Sequence, residues 1–249
     1  MNLKMIACKV LQREISLLSA TSENFIDLTY LRQGYHNEPE VLKAVLQREI
    51  DAIDADEDPR TRASLDFDAI LIGYGLCSNG IQGISSKKYK LIIPKAHDCI
   101  TLLLGSKEKY HSYFTEHGGG IYWYSAGWID NTPMPSEERY TKTLASYTEK
   151  YGEDNAEYLM EMEQNWFREY NRCAYIKWDS LHMDKFERYT KDCAKYLNWD
   201  FDCLNGDESL LRDMLEGRWD LNKFLIVPPG RSPEPSYDAN VIKVGRYRE

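Results

Sequence analysis

The chain lacks the features that mark several common protein classes. No apolar run approaches the roughly 20 residues that span a bilayer. The N-terminus, Met1 to Cys8, has no apolar signal-peptide core. We therefore expect a cytoplasmic protein. Basic residues are in deficit: 31 Lys and Arg stand against 40 Asp and Glu, a net charge of −9. Nucleic acids and anionic membranes need basic surface, so neither is expected as a partner. The six cysteines form no Cys-x-x-Cys pair, so zinc-ribbon and ferredoxin patterns are absent. Without a secretory signal they are not expected to form a disulfide scaffold. Any metal site must then be assembled from distant segments. There is no strict internal repeat.

What remains is a chain of 249 residues, 43% hydrophobic, long enough for one large domain or two small lobes. Its elements alternate. Residues 3–8 read as a strand, 10–18 as a helix and 25–31 as a second strand. A loop with His36 precedes a helix that starts near Pro39 and keeps Val41, Leu42, Val45, Leu46, Ile50 and Ile53 on one face. It runs out in the acidic stretch Asp54–Pro59, read as a solvated loop. Strands follow at 69–72 and 91–93, then a helix opening near Cys99 and an aromatic strand at 121–124. Residues 136–171 read as helical, with a break at Gly152. Strands at 174–178, 201–204 and 224–227 then alternate with helices at 183–197 and 208–216, and 240–244 reads as an edge or partner strand. This rhythm predicts an α/β fold with a mainly parallel, Rossmann-like sheet. We expect two lobes: residues 1–130 carrying the site, a helical connection over 131–171, and a smaller α/β lobe over 172–249.

Parallel sheets bind ligands beyond the carboxyl ends of their strands. Cys8, Cys77 and Cys99 each fall at or just past such an end, so the three thiols are expected on one rim. Thiolates are soft ligands that suit zinc or an iron–sulfur cluster. The alternative for each is an ordinary buried cysteine, a small hydrophobe. His97, two residues before Cys99, is a further ligand or an acid/base group. His36 is a second acid/base candidate, and Glu14, one turn into the first helix, is a third. Around Cys77, Tyr74, Gly75 and Asn79 are expected to meet the substrate, with Trp128 walling the pocket alongside Tyr122, Trp123 and Tyr124. The glycines of 73–83 miss the dinucleotide fingerprint, because the third spacing is wrong. Cys173, Cys193 and Cys203 read as structural. The aromatic positions of 140–170 read as helix core or an oligomer interface.

Taken together, Ala7-Cys8-Lys9 with Glu14, Gln33-Gly-x-His36-Asn37-x-Pro39, Gly73-Tyr-Gly-Leu-Cys77-x-Asn-Gly80, Pro94-x-Ala-His97-Asp-Cys99 and Gly127-Trp128 resemble one family. It is the domain-of-unknown-function family sixteen thirty-eight of methanogenic archaea and anaerobic bacteria. The resemblance covers about the first 130 residues well and the rest loosely. It implies an anaerobic, intracellular protein, often encoded near corrinoid-dependent methyltransferase systems. The expectation is a metal-binding, methyltransferase-like enzyme of methanogenesis or related one-carbon metabolism. A small-molecule substrate, a corrinoid protein as partner and a homo-oligomer fit that setting. An iron–sulfur enzyme and a non-catalytic corrinoid-binding accessory protein are the alternatives.

Overall fold

A computed structural model describes residues 1–61 and 65–245. In chain order it contains β1 (Asn2–Cys8), α1 (Gln12–Ala20), β2 (Phe25–Leu31), α2 (Pro39–Asp54), β3 (Ala69–Gly73), β4 (Leu91–Pro94), α3 (Cys99–Leu104) and α4 (Lys107–Glu116). Then come β5 (Ile121–Tyr124), α5 (Ala126–Asn131), α6 (Glu137–Tyr151), α7 (Glu153–Gln164), β6 (Arg172–Lys177), α8 (Asp184–Leu197) and β7 (Asp200–Asn205). The chain ends with α9 (Ser209–Leu215), β8 (Phe224–Val227), β9 (Pro233–Pro235) and β10 (Ile242–Val244).

The chain divides into two compact units, one of residues 1–109 and 207–249, the other of residues 110–206. This differs from the expected lobes, and strand pairing explains why. β8 returns to lie antiparallel on β4, with Leu91 opposite Val227 and Pro94 opposite Phe224. The expected connecting helices α6 and α7 lie within the second unit, between β5 and β6, which pair with each other.

The first unit is built on a five-stranded sheet of order β2-β1-β3-β4-β8. Its first four strands are parallel. β1, β3 and β4 are buried along nearly their whole length, as central parallel strands covered on both faces must be. That explains why they read as continuous apolar runs. α2 buries Leu42, Leu46, Ile50 and Ile53, while Val41, at the margin of the apolar stripe, is exposed. β9 and β10 form a small antiparallel ribbon.

One residue in β1 breaks the apolar run. Lys4 is fully buried, and its ammonium reaches Asp58 Oδ2 at 2.7 Å, Asp27 Oδ1 at 2.9 Å and Thr61 Oγ1 at 3.0 Å. All three of its donors are thereby satisfied. The 54–59 stretch is thus not wholly solvated: Asp58 turns inward, where Arg60 also holds it at 2.8 Å and pairs in turn with Glu49. Burial alone would raise the Asp58 pKa. The hydrogen bonds from Lys4 and Arg60 outweigh it and hold the carboxyl well below the usual range.

The second unit has a three-stranded parallel sheet, β5-β6-β7. Its core gathers Tyr124, Met134, Cys173, Tyr175, Phe186 and Cys193. Cys173 and Cys193 are therefore core residues, whereas Cys203 on β7 is exposed. In α6 and α7, Tyr151, Tyr158 and Met162 stand exposed.

Candidate functional site

Three loops leave the same end of the first sheet, because β1, β3 and β4 are parallel neighbours. Their strand order also turns there: β1 leads outward to β2, whereas β3 leads the other way to β4. A crevice at such a reversal is where parallel sheets commonly take ligands. Cys8 ends β1, Tyr74 to Gly80 follow β3, and Lys95 to Cys99 follow β4.

The latter two loops are joined by backbone. The Leu76 amide donates to the Ala96 carbonyl at 2.8 Å, and the Cys77 amide donates to the His97 carbonyl at 2.9 Å. Gly75 makes this approach possible. A Cβ there would stand 2.6 Å from the Asp98 nitrogen and 2.9 Å from the Ala96 oxygen, closer than real Cβ contacts come.

The chain then does something rare for L-residues. Cys77, Ser78 and Asn79 all adopt left-handed backbone, with φ of 46°, 56° and 70°. The Gly80 amide closes the turn on the Cys77 carbonyl at 3.0 Å. Left-handed backbone costs a non-glycine residue about 1–2 kcal/mol, and such positions cluster at functional sites. Ser78 and Asn79 are exposed on this turn, and Cys77 is half-buried at its start.

Tyr74 is the hub of the rim. It is 3% exposed, and among the described residues its enclosed hydroxyl makes no hydrogen bond of ordinary geometry. Its neighbours are sulfur. Burial first, then the proximity of Cys8, Cys77 and Cys99, drives its pKa far above that of a free tyrosine. Burial likewise raises the Cys8 thiol, against opposing contacts with the Val10 backbone and Tyr74. Cys77 is raised further by burial and by the nearby Cys8 and Asp98. At both cysteines burial favours the protonated thiol over the thiolate.

Asp98 is the N-cap of α3. Its Oδ1 accepts from the Ile100 amide at 3.0 Å and the Thr101 amide at 3.2 Å, which fixes the start of the helix and hence Cys99, its first residue. Burial raises the Asp98 pKa, opposed by these amides and by His97. His36, in the short turn after β2, lies near Asp98. Burial lowers its pKa, while the Asp98 charge pulls it back up. His97 is exposed and enters the loop pairing through its carbonyl. Glu14 is buried in the first turn of α1 rather than solvated, near Tyr30. Trp128 and Tyr122 both pack against the core of the second unit, and Tyr124 lies within that core. Trp123 packs against Tyr110 and Tyr113.

The rim thus brings Cys8, Tyr74, Cys77, Cys99, Asp98 and His36 into one neighbourhood. The sulfurs are the right kind of donor for zinc or an iron–sulfur cluster. Among the described residues, however, no three His, Cys, Asp or Glu side chains are placed to hold a metal ion as they stand. The roles of Tyr74 as hub and Asp98 as cap are not evident from residue type alone. The cap has a sequence signal, an Asp directly before a helical apolar run; the burial of Tyr74 has none.

The fold defines a mixed α/β protein with a mainly parallel sheet, three cysteines lying on the rim at its strands' carboxyl ends. The chain belongs to the family described as protein of unknown function (DUF1638), whose model matches residues 30–215. That span includes the loops of His36, Cys77 and Cys99 and begins after Cys8. No curated protein and no solved structure matches the chain. Among the described residues no helix is long and apolar enough to cross a membrane.

Proposed function

We propose that the rim is a soft-metal site held by Cys8, Cys77 and Cys99 on a Rossmann-like sheet, and that the protein is an enzyme of one-carbon transfer. One observation carries this reading: three thiols, carried at or just past the ends of three adjacent parallel strands, all lie near the buried hydroxyl of Tyr74. Zinc and an iron–sulfur cluster both suit such donors. The metal-bound thiols would have to shed their protons and turn toward one centre, so binding releases acid and completes the site. A bound metal would supply Lewis acidity, holding an incoming thiol acceptor as its thiolate.

The remaining groups have roles the chain itself dictates. His36, whose neutral form burial favours, accepts or returns a proton beside Asp98. Tyr74 stays protonated and offers its hydrogen to an anionic sulfur. Asn79, lifted on the strained turn, meets the substrate from solvent. The setting of corrinoid-linked methyl transfer, with a corrinoid protein as partner, rests on the family resemblance.

A second reading is favoured by the lack of a ready-made ligand cluster among the described residues. In it the thiols stay neutral and line a binding pocket for a small ligand. Metal analysis of protein purified without oxygen separates the two. About one zinc, or a brown iron–sulfur chromophore, per chain is expected. Metal-free protein that binds none when it is supplied supports the pocket.

A further inference from the structure

The second unit carries a separate feature. The end of α7, the short turn 165–169 after it, and Trp199 between α8 and β7 line an open cavity of about 350 Å³. Its aromatic walls are Phe167, Tyr170 and Trp199. The Tyr170 and Trp199 rings lie 5.9 Å apart at 35°, and Phe167 meets Trp199 edge-on at 5.9 Å. All three rings are only half-buried, so they keep surface to offer a ligand. Behind them, Arg139 sits over the Trp166 and Phe167 rings at 5.6 and 5.8 Å and fixes the wall.

Of the polar lining, Asn165 donates to the Met162 sulfur at 3.8 Å, and the rest is uncommitted. Glu161, Gln164 and Arg168 face the same cavity, and among the described residues none has a hydrogen-bond or ion-pair partner. By contrast, Glu163 beside them is engaged by Arg139 at 2.8 Å and Tyr147 at 2.9 Å. Aromatic walls favour a flat, conjugated ligand, since each stacked base contributes about 1–3 kcal/mol. A carboxylate accepts paired N–H donors, and a guanidinium binds a carbonyl or oxyanion. The unit has 17 acidic and 10 basic residues, so a polyanionic strand is a poor occupant.

We propose that this cavity binds a small molecule with a 2-amino-4-oxopyrimidine edge, the ring system shared by guanine and pterins. Glu161 takes the ring N–H and amino group, Arg168 takes the oxo or a ligand oxyanion, and Trp199 with Tyr170 holds the ring face.

Isothermal titration of the full chain with guanosine monophosphate, 6-carboxypterin and adenosine monophosphate tests this. At least one of the first two is expected to bind saturably, with the adenine compound weaker by about tenfold or more. Which of the two binds distinguishes a nucleotide from a pterin. Glu161→Gln and Arg168→Ala change exposed side chains and leave the fold intact, and each is expected to weaken binding by about tenfold. Trp199→Ala is expected to abolish it, with circular dichroism checking the fold. No heat from either probe at millimolar concentration overturns the proposal, as does binding indifferent to Glu161→Gln.

Discussion

Gly75 and Asp98 meet backbone to backbone: a Cβ on Gly75 would lie 2.6 Å from the Asp98 nitrogen. The contact locks the loop bearing Cys77 to the loop bearing Cys99. A methyl group at Gly75 must push the two apart. Gly75→Ala is expected to cost about 1–3 kcal/mol and to expose the rim thiols. Urea unfolding and the alkylation rates of Cys77 and Cys99 check this together. Unchanged stability with unchanged alkylation would mean the loops are not held by this contact.

The left-handed run of Cys77, Ser78 and Asn79 makes a distinction between two substitutions at Ser78. Glycine adopts φ of 56° freely, whereas a β-branched residue there is a strong outlier. Ser78→Val is expected to be less stable than Ser78→Gly by about 1–2 kcal/mol. Equal thermal midpoints would show that the turn does not hold this conformation in solution.

Lys4 and Asp58 make stability depend on acid. The folded-state pKa of Asp58 is depressed, so its contribution is fully present above the ordinary carboxylate value of about 4. It is lost as pH falls toward the lower folded value. Lys4→Met leaves Asp27 and Asp58 without their buried cation and is expected to cost about 3–5 kcal/mol. Asp58→Asn should flatten the fall of stability below about pH 4. Denaturation midpoints across pH 2–7 measure both effects.

His36 and Asp98 are coupled by charge, and the coupling has a sign. Asp98 raises the His36 pKa against burial, which lowers it. Removing the anion in Asp98→Asn should therefore lower the His36 pKa further. An imidazole titration followed by NMR reads this directly. An unmoved His36 would place it away from Asp98.

Much of the first sheet was legible in the sequence because its strands are buried on both faces. Residues 3–8, 69–72 and 91–93 are unbroken apolar runs apart from Lys4, and 25–31 was bounded correctly by alternation. The shared end of β1, β3 and β4 follows from the same α/β rhythm, and with it the placing of Cys8, Cys77 and Cys99 near Tyr74. The unit boundaries were not legible. β8 resembles any other buried strand, and its pairing with β4, more than 120 residues away, leaves no local mark. The Lys4 network was signalled by a lysine inside an apolar strand, but its partners were not: Asp27 takes a polar position of the alternating strand 25–31, and Asp58 lies in the acidic stretch that read as solvated. The left-handed turn was hidden because its residues are Cys, Ser and Asn rather than glycine.

The most direct test of the thiol rim is a cadmium titration under exclusion of oxygen, comparing the wild type with Cys8→Ser, Cys77→Ser and Cys99→Ser. One ion per chain is expected to bind with release of protons, giving the sulfur-to-cadmium absorption band. Each substitution should weaken binding by at least about tenfold, while Cys203→Ser should have no effect. Cadmium binding that survives all three rim substitutions, or no binding by the wild type, would contradict a metal site at the rim.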